Sequence, residues 1–185
     1  MAADRKSRES WIDAGMRALA DGGPEAVRVE LLARSLGLTK GSFYWHFKDR
    51  QALLDELLEV WERRMLDEVV EEVEREGGDA RARLEQLFSL ARSGTARGMA
   101  KAEFAIRDWA RNDAEVAARL RRVDNRRMEY MRSLFGEICT DEDEVETRCL
   151  LVFSLFIAGG LFAVDHGAHS RAEVLDMALT RLLDY

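Results

Sequence analysis

The chemistry in this 185-residue chain is concentrated between Lys40 and Arg50, which reads KGSFYWHFKDR. With Phe43 and Phe47, four residues apart, turned inward on a helix, Lys40, Ser42, Tyr44, Trp45 and His46 spread over its remaining faces. No nucleophile, base and orienting group form a constellation here or elsewhere, and no glycine-rich phosphate loop occurs, so the sequence speaks against an enzyme. The pattern suits a nucleic acid instead. Lys, Ser and aromatic side chains at a helix start match base edges and thymine methyls, and basic groups at its ends match phosphates. From Leu31 to Arg50 there are four Lys/Arg and one acid, Asp49. A generic helical hairpin is the plain alternative, but packing accounts poorly for so much aromatic and basic surface on one short helix.

Such a helix has to be positioned by its neighbours. Leu32, Ala33 and Leu36 give the preceding helix an apolar face, and Gly37 stands where that helix needs a residue tolerant of positive φ. Leu38 re-enters the core and Thr39 offers an oxygen to cap the next helix, expected over Lys40 to Phe47. Two short helices joined by a glycine-containing turn form a helix-turn-helix. The run from Ala33 through Gly37-Leu38-Thr39-Lys40-Gly41-Ser42-Phe43-Tyr44-Trp45-His46-Phe47-Lys48-Asp49-Arg50 to Leu53 resembles the DNA-binding signature of the TetR family of transcriptional regulators. The resemblance is dense from Ile12 to Leu53; beyond that it is one of layout.

The resemblance implies that Lys40, Gly41, Ser42, Tyr44, Trp45 and His46 touch bases or backbone, with Tyr44 and His46 on phosphates. It places Thr39, Lys48 and Arg50 for further backbone contacts, a solvated surface role for Lys48 and Arg50 staying open. Two positions depart from the family pattern. Arg28 stands where many members have Ser or Thr, though it can reach a phosphate. Glu30 occupies a frequently basic position and receives no DNA role. Arg5, Lys6 and Arg8 are candidates for phosphate contact or a solvated arm.

The net charge of −7 excludes a generic nucleic-acid coat, but it is unevenly placed: residues 1–50 carry +2 and the remainder −9. Alternating strand-like runs are missing, so the fold expected is all-α: a three-helix head over residues 1–50 and a larger helical body over 51–185. Asp49 should cap a long helix with Leu54, Leu57, Leu58, Trp61, Met65, Val69 and Val73 inward, ending before Gly77-Gly78. A further helix is expected over Met99 to Ala110, and Asp113 caps another. Capping boxes are read at Thr140/Asp143 and Ser170/Glu173, the first opening a helix that is apolar nearly all round to about Val164. Cys139 and Cys149 lack metal-ligand spacing and read as core thiols, a redox pair being the alternative. The absence of an apolar leader leads to the expectation of a cytoplasmic protein, and the longest apolar run, Cys149 to Val164, is short for a membrane span.

In the body, Trp61, Met65, Phe88, Met99, Phe104, Arg107, Trp109, Asn125, Tyr130 and Met131 are candidates to line a small-molecule pocket, with Arg107 as an anchor for an anionic group; each taken singly also reads as plain core or surface. The last two helices carry surplus apolar surface. A homodimer through Leu151, Phe153, Leu155, Phe156, Gly159, Gly160, Leu175, Leu179 and Leu182 would absorb it as a four-helix bundle, and the resemblance implies the same. Asp165, His166 and His169 read as a loop rather than a metal site, and no cofactor is expected. The function expected is a ligand-responsive transcriptional repressor that binds an inverted-repeat DNA operator as a homodimer and is released by a small molecule. A dimeric DNA-binding protein without ligand, and a helical carrier or enzyme with a vestigial head, are the alternatives.

Overall fold

The computed structural model describes residues 2–92, 94–158, 161 and 163–184, with the backbone alone at 2–7 and 94–98. The described residues are helical, with no β-strand; one isolated bridge pairs His166 with His169. Ten helices follow in order: α1 (Ala2–Gly22), α2 (Val29–Leu36), α3 (Lys40–Tyr44), α4 (Arg50–Glu62), α5 (Glu68–Glu76), α6 (Ala80–Arg92), α7 (Gly94–Ala110), α8 (Ala114–Ile138), α9 (Glu142–Ala158) and α10 (Arg171–Leu183). A 3-10 turn, Pro24–Ala26, precedes α2, and a π turn, Arg63–Asp67, joins α4 to α5.

The chain forms two compact units, Met1–Asp67 with Gly94–Arg122, and Glu68–Ser93 with Val123–Tyr185. In the first, α1 packs on α2, α4 and α7. Trp11, Leu19, Phe43, Leu53, Leu54, Leu57, Trp61 and Ile106 are its largest fully buried side chains. The α1–α4 crossing is close at Gly15, where a Cβ would lie 3.1 Å from a methyl of Leu57. In the second unit, Leu84, Phe88, Met131, Leu134, Phe135, Cys139, Cys149, Val152, Leu179 and Leu183 form one apolar cluster. Both cysteines are buried free thiols, and burial pushes the Cys149 thiol up to about 11. Arg148, also buried, closes the end of α10 by donating to the carbonyls of Leu182 at 2.7 Å and Asp184 at 3.2 Å.

Several element boundaries differ from the sequence expectation for physical reasons. The helix expected from Asp49 to Glu76 is interrupted by the π turn, whose i to i+5 spacing carries the buried register from Trp61 to Leu66. Leu66, rather than Met65, therefore takes the inward position. Helix α7 begins at Gly94 instead of Met99, because packing of Met99, Ala102 and Ile106 outweighs the helix cost of the glycines before them. Asp141, not Thr140, caps α9: its Oδ1 accepts the N–H of Asp143 at 2.9 Å. The described part of α9 ends at Ala158, short of Val164; Gly159 and Gly160 lie outside the described residues. At α10 the capping box is complete, with Ser170 Oγ accepting from Glu173 N at 3.2 Å and the Glu173 carboxylate accepting from Ser170 N at 2.6 Å.

The turn between α2 and α3 rests on Gly37, which caps α2 at φ 67° and ψ 27°. A Cβ there meets no neighbour, so only backbone strain opposes a side chain. Gly37→Ala should lower stability by about 1–2 kcal/mol in urea unfolding, and Gly37→Asn by less, since Asn tolerates the left-handed region better.

Candidate nucleic-acid interface

Helix α3 is only five residues long, so its position is imposed from outside. At its start Thr39 has extended backbone and its hydroxyl oxygen accepts the N–H of Ser42 at 3.2 Å. Leu38 N–H reaches back to the carbonyl of Ala33 at 2.9 Å, closing α2. In the middle Phe43 is fully buried, edge-on to Trp11 with centroids 5.2 Å apart and stacked on Phe47 at 5.3 Å. Burying a phenylalanine ring contributes roughly 1.5–3 kcal/mol. The expected helix over Lys40 to Phe47 is thus shorter than expected: it ends at Tyr44, and the N–H groups of His46 and Phe47 both turn back to the carbonyl of Phe43.

With Phe43 inward, the opposite surface is bare. Tyr44 is 60% and Trp45 87% exposed, far more than large aromatics usually are, while Lys40, Gly41 and Lys48 are exposed and Ser42 and His46 half-buried. These are the residues to which sequence reasoning gave base and phosphate contacts, and the structure brings them together on and beside one short helix.

The remaining basic residues divide. Arg50, read as a DNA-backbone contact or a solvated surface residue, is turned into the head: Nε donates to Val27 O at 2.7 Å and a terminal nitrogen to Pro24 O. It braces the start of α4 against the turn that leads into α2. Arg28 Nε donates to Glu25 O at 3.0 Å, and Arg28 caps α2 through no side-chain bond. Arg8 is paired with Glu56 at 2.8 Å and lies over the Phe47 ring at 5.1 Å, joining α1 to α4. The Arg8 hydrogen bond holds the Glu56 carboxyl below its ordinary range. Side chains of Arg5 and Lys6 lie outside the described residues. Lys40 forms an ion pair with Glu30, a residue to which sequence reasoning gave no DNA role.

The candidate pocket residues fall in both units. In the first, Trp61 is fully buried and donates through Nε1 to Glu103 at 2.9 Å, and Arg107 pairs with the same carboxylate at 2.7 Å. Glu103 is 3% exposed, so the Arg107 charge balances a buried acid inside the unit. Met99 is buried, and Met65, Phe104 and Trp109 are half-buried, with Trp109 Nε1 donating to Asp113 at 3.2 Å. In the second unit, Phe88 and Met131 belong to the apolar cluster and Asn125 is exposed. Tyr130 donates to Glu74 at 2.8 Å, and burial followed by that bond raises its hydroxyl above the ordinary tyrosine value.

Of the candidate contact residues between copies, Leu151 is 47% exposed, beside Leu150 at 59%, with Met177 at 41% on α10. Phe153, Leu155, Phe156, Leu175 and Leu182 are half-buried against their own cluster. Leu179 is 1% exposed within that cluster, so it is withdrawn from the contact face. His166 and His169 face each other across the isolated bridge, and among the described residues no group of three His, Cys, Asp or Glu could hold a metal ion. No helix of the described residues is long and apolar enough to cross a membrane.

The helix-turn-helix segment has known counterparts. Residues 12–57 match the model of the bacterial regulatory proteins, tetR family. Over 53 residues the chain is 42% identical to the class D tetracycline repressor protein of Escherichia coli, which covers 29% of this chain and 24% of the repressor. The chain thus matches about a quarter of the length of that relative. Two solved structures share the fold over nearly the whole chain. AibR, solved in complex with isovaleryl coenzyme A and operator DNA, gives a TM-score of 0.73 at 14% identity, covering 96% of this chain and 98% of its own. FadR of Bacillus subtilis, solved with stearoyl-CoA, gives 0.67 at 17%, covering 95% and 97%. Residues 12–57 thus carry the helix-turn-helix of the tetR family, and the chain as a whole shares its all-helical fold with these solved regulators.

Two substitutions separate anchor from reading surface. Phe43→Ala should cost about 3–5 kcal/mol of stability in urea unfolding, whereas Tyr44→Ala, which loses one edge-on ring contact with Phe43 at 5.3 Å, should cost only about 0.5–1.5 kcal/mol and weaken DNA binding at least about tenfold.

Proposed function

We propose that this chain is a ligand-responsive transcriptional repressor that binds an inverted-repeat DNA operator as a homodimer and is released by a small molecule. The observation that carries the reading is the pair of exposed aromatics, Tyr44 and Trp45, on a helix fixed by the Thr39 cap and the buried Phe43. Residues 1–50 act as the reading head and residues 51–185 dimerise and take the effector. A chain that reads DNA and has no membrane-crossing helix among its described residues works in the cytoplasm, and as a regulator rather than an enzyme.

The match to a tetracycline repressor supports repression, and the coenzyme A esters held by AibR and FadR support a partly apolar effector. Exposed Leu150, Leu151 and Met177 support the dimer. Release is a population shift: an effector that prefers the non-binding state by about 4 kcal/mol lowers operator affinity a thousandfold.

The DNA reading is tested by fluorescence anisotropy against DNA from the chain's own upstream region, followed by selection from a random-sequence pool. Affinity should fall steeply with salt, as phosphate neutralisation requires. Binding that is weak for every sequence and indifferent to Tyr44→Ala would refute it. For the dimer, Leu151→Glu should turn a sedimenting dimer into a monomer while preserving helicity. For the effector, a panel of acyl-CoA esters should raise the melting temperature and lower operator affinity together.

A further inference from the structure

The ion pair between Glu30 and Lys40 joins the first turn of α2 to the first residue of α3, ten positions apart in sequence. Both side chains remain more than half exposed, at 57% and 55%, so the pair is open to solvent rather than sealed in the head. The Lys40 hydrogen bond holds the Glu30 carboxylate below its ordinary range, with a contribution from the Glu30 backbone N–H, so the paired acid is charged at neutral pH. An acid at this spot is costly to a DNA-binding head, because it offsets a lysine and repels phosphate. Its presence calls for a role that charge attraction does not fill.

Base-edge chemistry supplies one. In the major groove a G·C pair presents two acceptors, guanine N7 and O6, beside one donor, the cytosine N4 amino group. An ammonium bonded to a carboxylate presents donors beside acceptors. The carboxylate has lone pairs left to accept from N4, and the ammonium has N–H groups left for O6 and N7. An A·T pair sets its one donor, adenine N6, between two acceptors, adenine N7 and thymine O4, so an ammonium spanning the purine edge meets a donor where guanine offers O6.

Building on the DNA-binding reading above, we infer that Glu30 and Lys40 act as one preassembled unit that reads a G·C base pair in each half-site, Glu30 being a specificity residue that gives up affinity for selectivity. Holding each other, the two side chains lose less freedom on contact than a free lysine would.

Selection from a random-sequence pool, run with the full chain and with Glu30→Gln, Lys40→Gln and the double variant, tests this. In the wild type one position per half-site should favour G·C over A·T. Glu30→Gln should reduce that preference at least about fivefold at this position alone, with unchanged preferences elsewhere reporting an intact head. Lys40→Gln should weaken the same position, and the double variant should lose less than the two single losses combined. The inference is overturned if Glu30→Gln leaves every position's preference unchanged, changes all of them uniformly, or acts at a different position from Lys40→Gln. A wild-type chain that selects no sequence and ignores Tyr44→Ala refutes the DNA-binding reading itself, and this inference with it.

Discussion

Everything the head can do depends on the burial of Phe43 between Trp11 and Phe47. A five-residue helix has no stability of its own, since nucleation costs more than one turn of hydrogen bonds returns. Anchored at its centre, capped by Thr39 and preceded by a left-handed Gly37, α3 can leave Tyr44 and Trp45 bare to solvent without losing its position. The same rings give Arg8 a surface to lie on, and its pairing with Glu56 ties α1 to α4. Arg50 closes the arrangement from the other side by holding the carbonyls of Pro24 and Val27. The head is therefore a frame built around one aromatic cluster, and its reading surface is whatever that frame turns outward.

Charge follows the same division. Three arginines read from the sequence as candidates for phosphate contact, Arg8, Arg28 and Arg50, bond protein groups in the structure. What α3 and the turn after it turn outward is a mixed surface of the aromatics Tyr44 and Trp45, the lysines Lys40 and Lys48, and the acid Asp49, with Glu30 beside them. Such a surface relies less on bulk attraction to phosphate and more on shape and base-edge contacts.

The fold was legible where local signals agree. Phe43 and Phe47 at four-residue spacing, Gly37 after an apolar turn, Thr39 and Asp49 as caps, and the Ser170/Glu173 box all mark their elements without tertiary information. Boundaries set by packing were not. The π turn at Arg63–Asp67 moves the inward position from Met65 to Leu66, and periodicity cannot reveal that because it assumes the helical repeat it is testing. Helix α7 starts five residues early because its partners, invisible in sequence, outweigh its glycines. For the site, the exposed aromatics were visible from their place opposite Phe43. Glu30 was not, as its partner Lys40 lies ten residues away on another helix. Arg107, read as an anchor for an anionic group or a surface ion pair, pairs with its i,i+4 neighbour Glu103, whose burial the helical pattern does not reveal.

The central claim, that the bare face of α3 meets DNA, is tested most directly by the fluorescence of Trp45. Trp11 and Trp61 are fully buried and Trp109 half-buried, so acrylamide should quench Trp45 preferentially, and Trp45→Phe identifies its share of the signal. Saturating the chain with its selected operator should remove that quenchable share. A Trp45 that stays fully open to acrylamide in a stoichiometric DNA complex would place the DNA elsewhere and contradict the account.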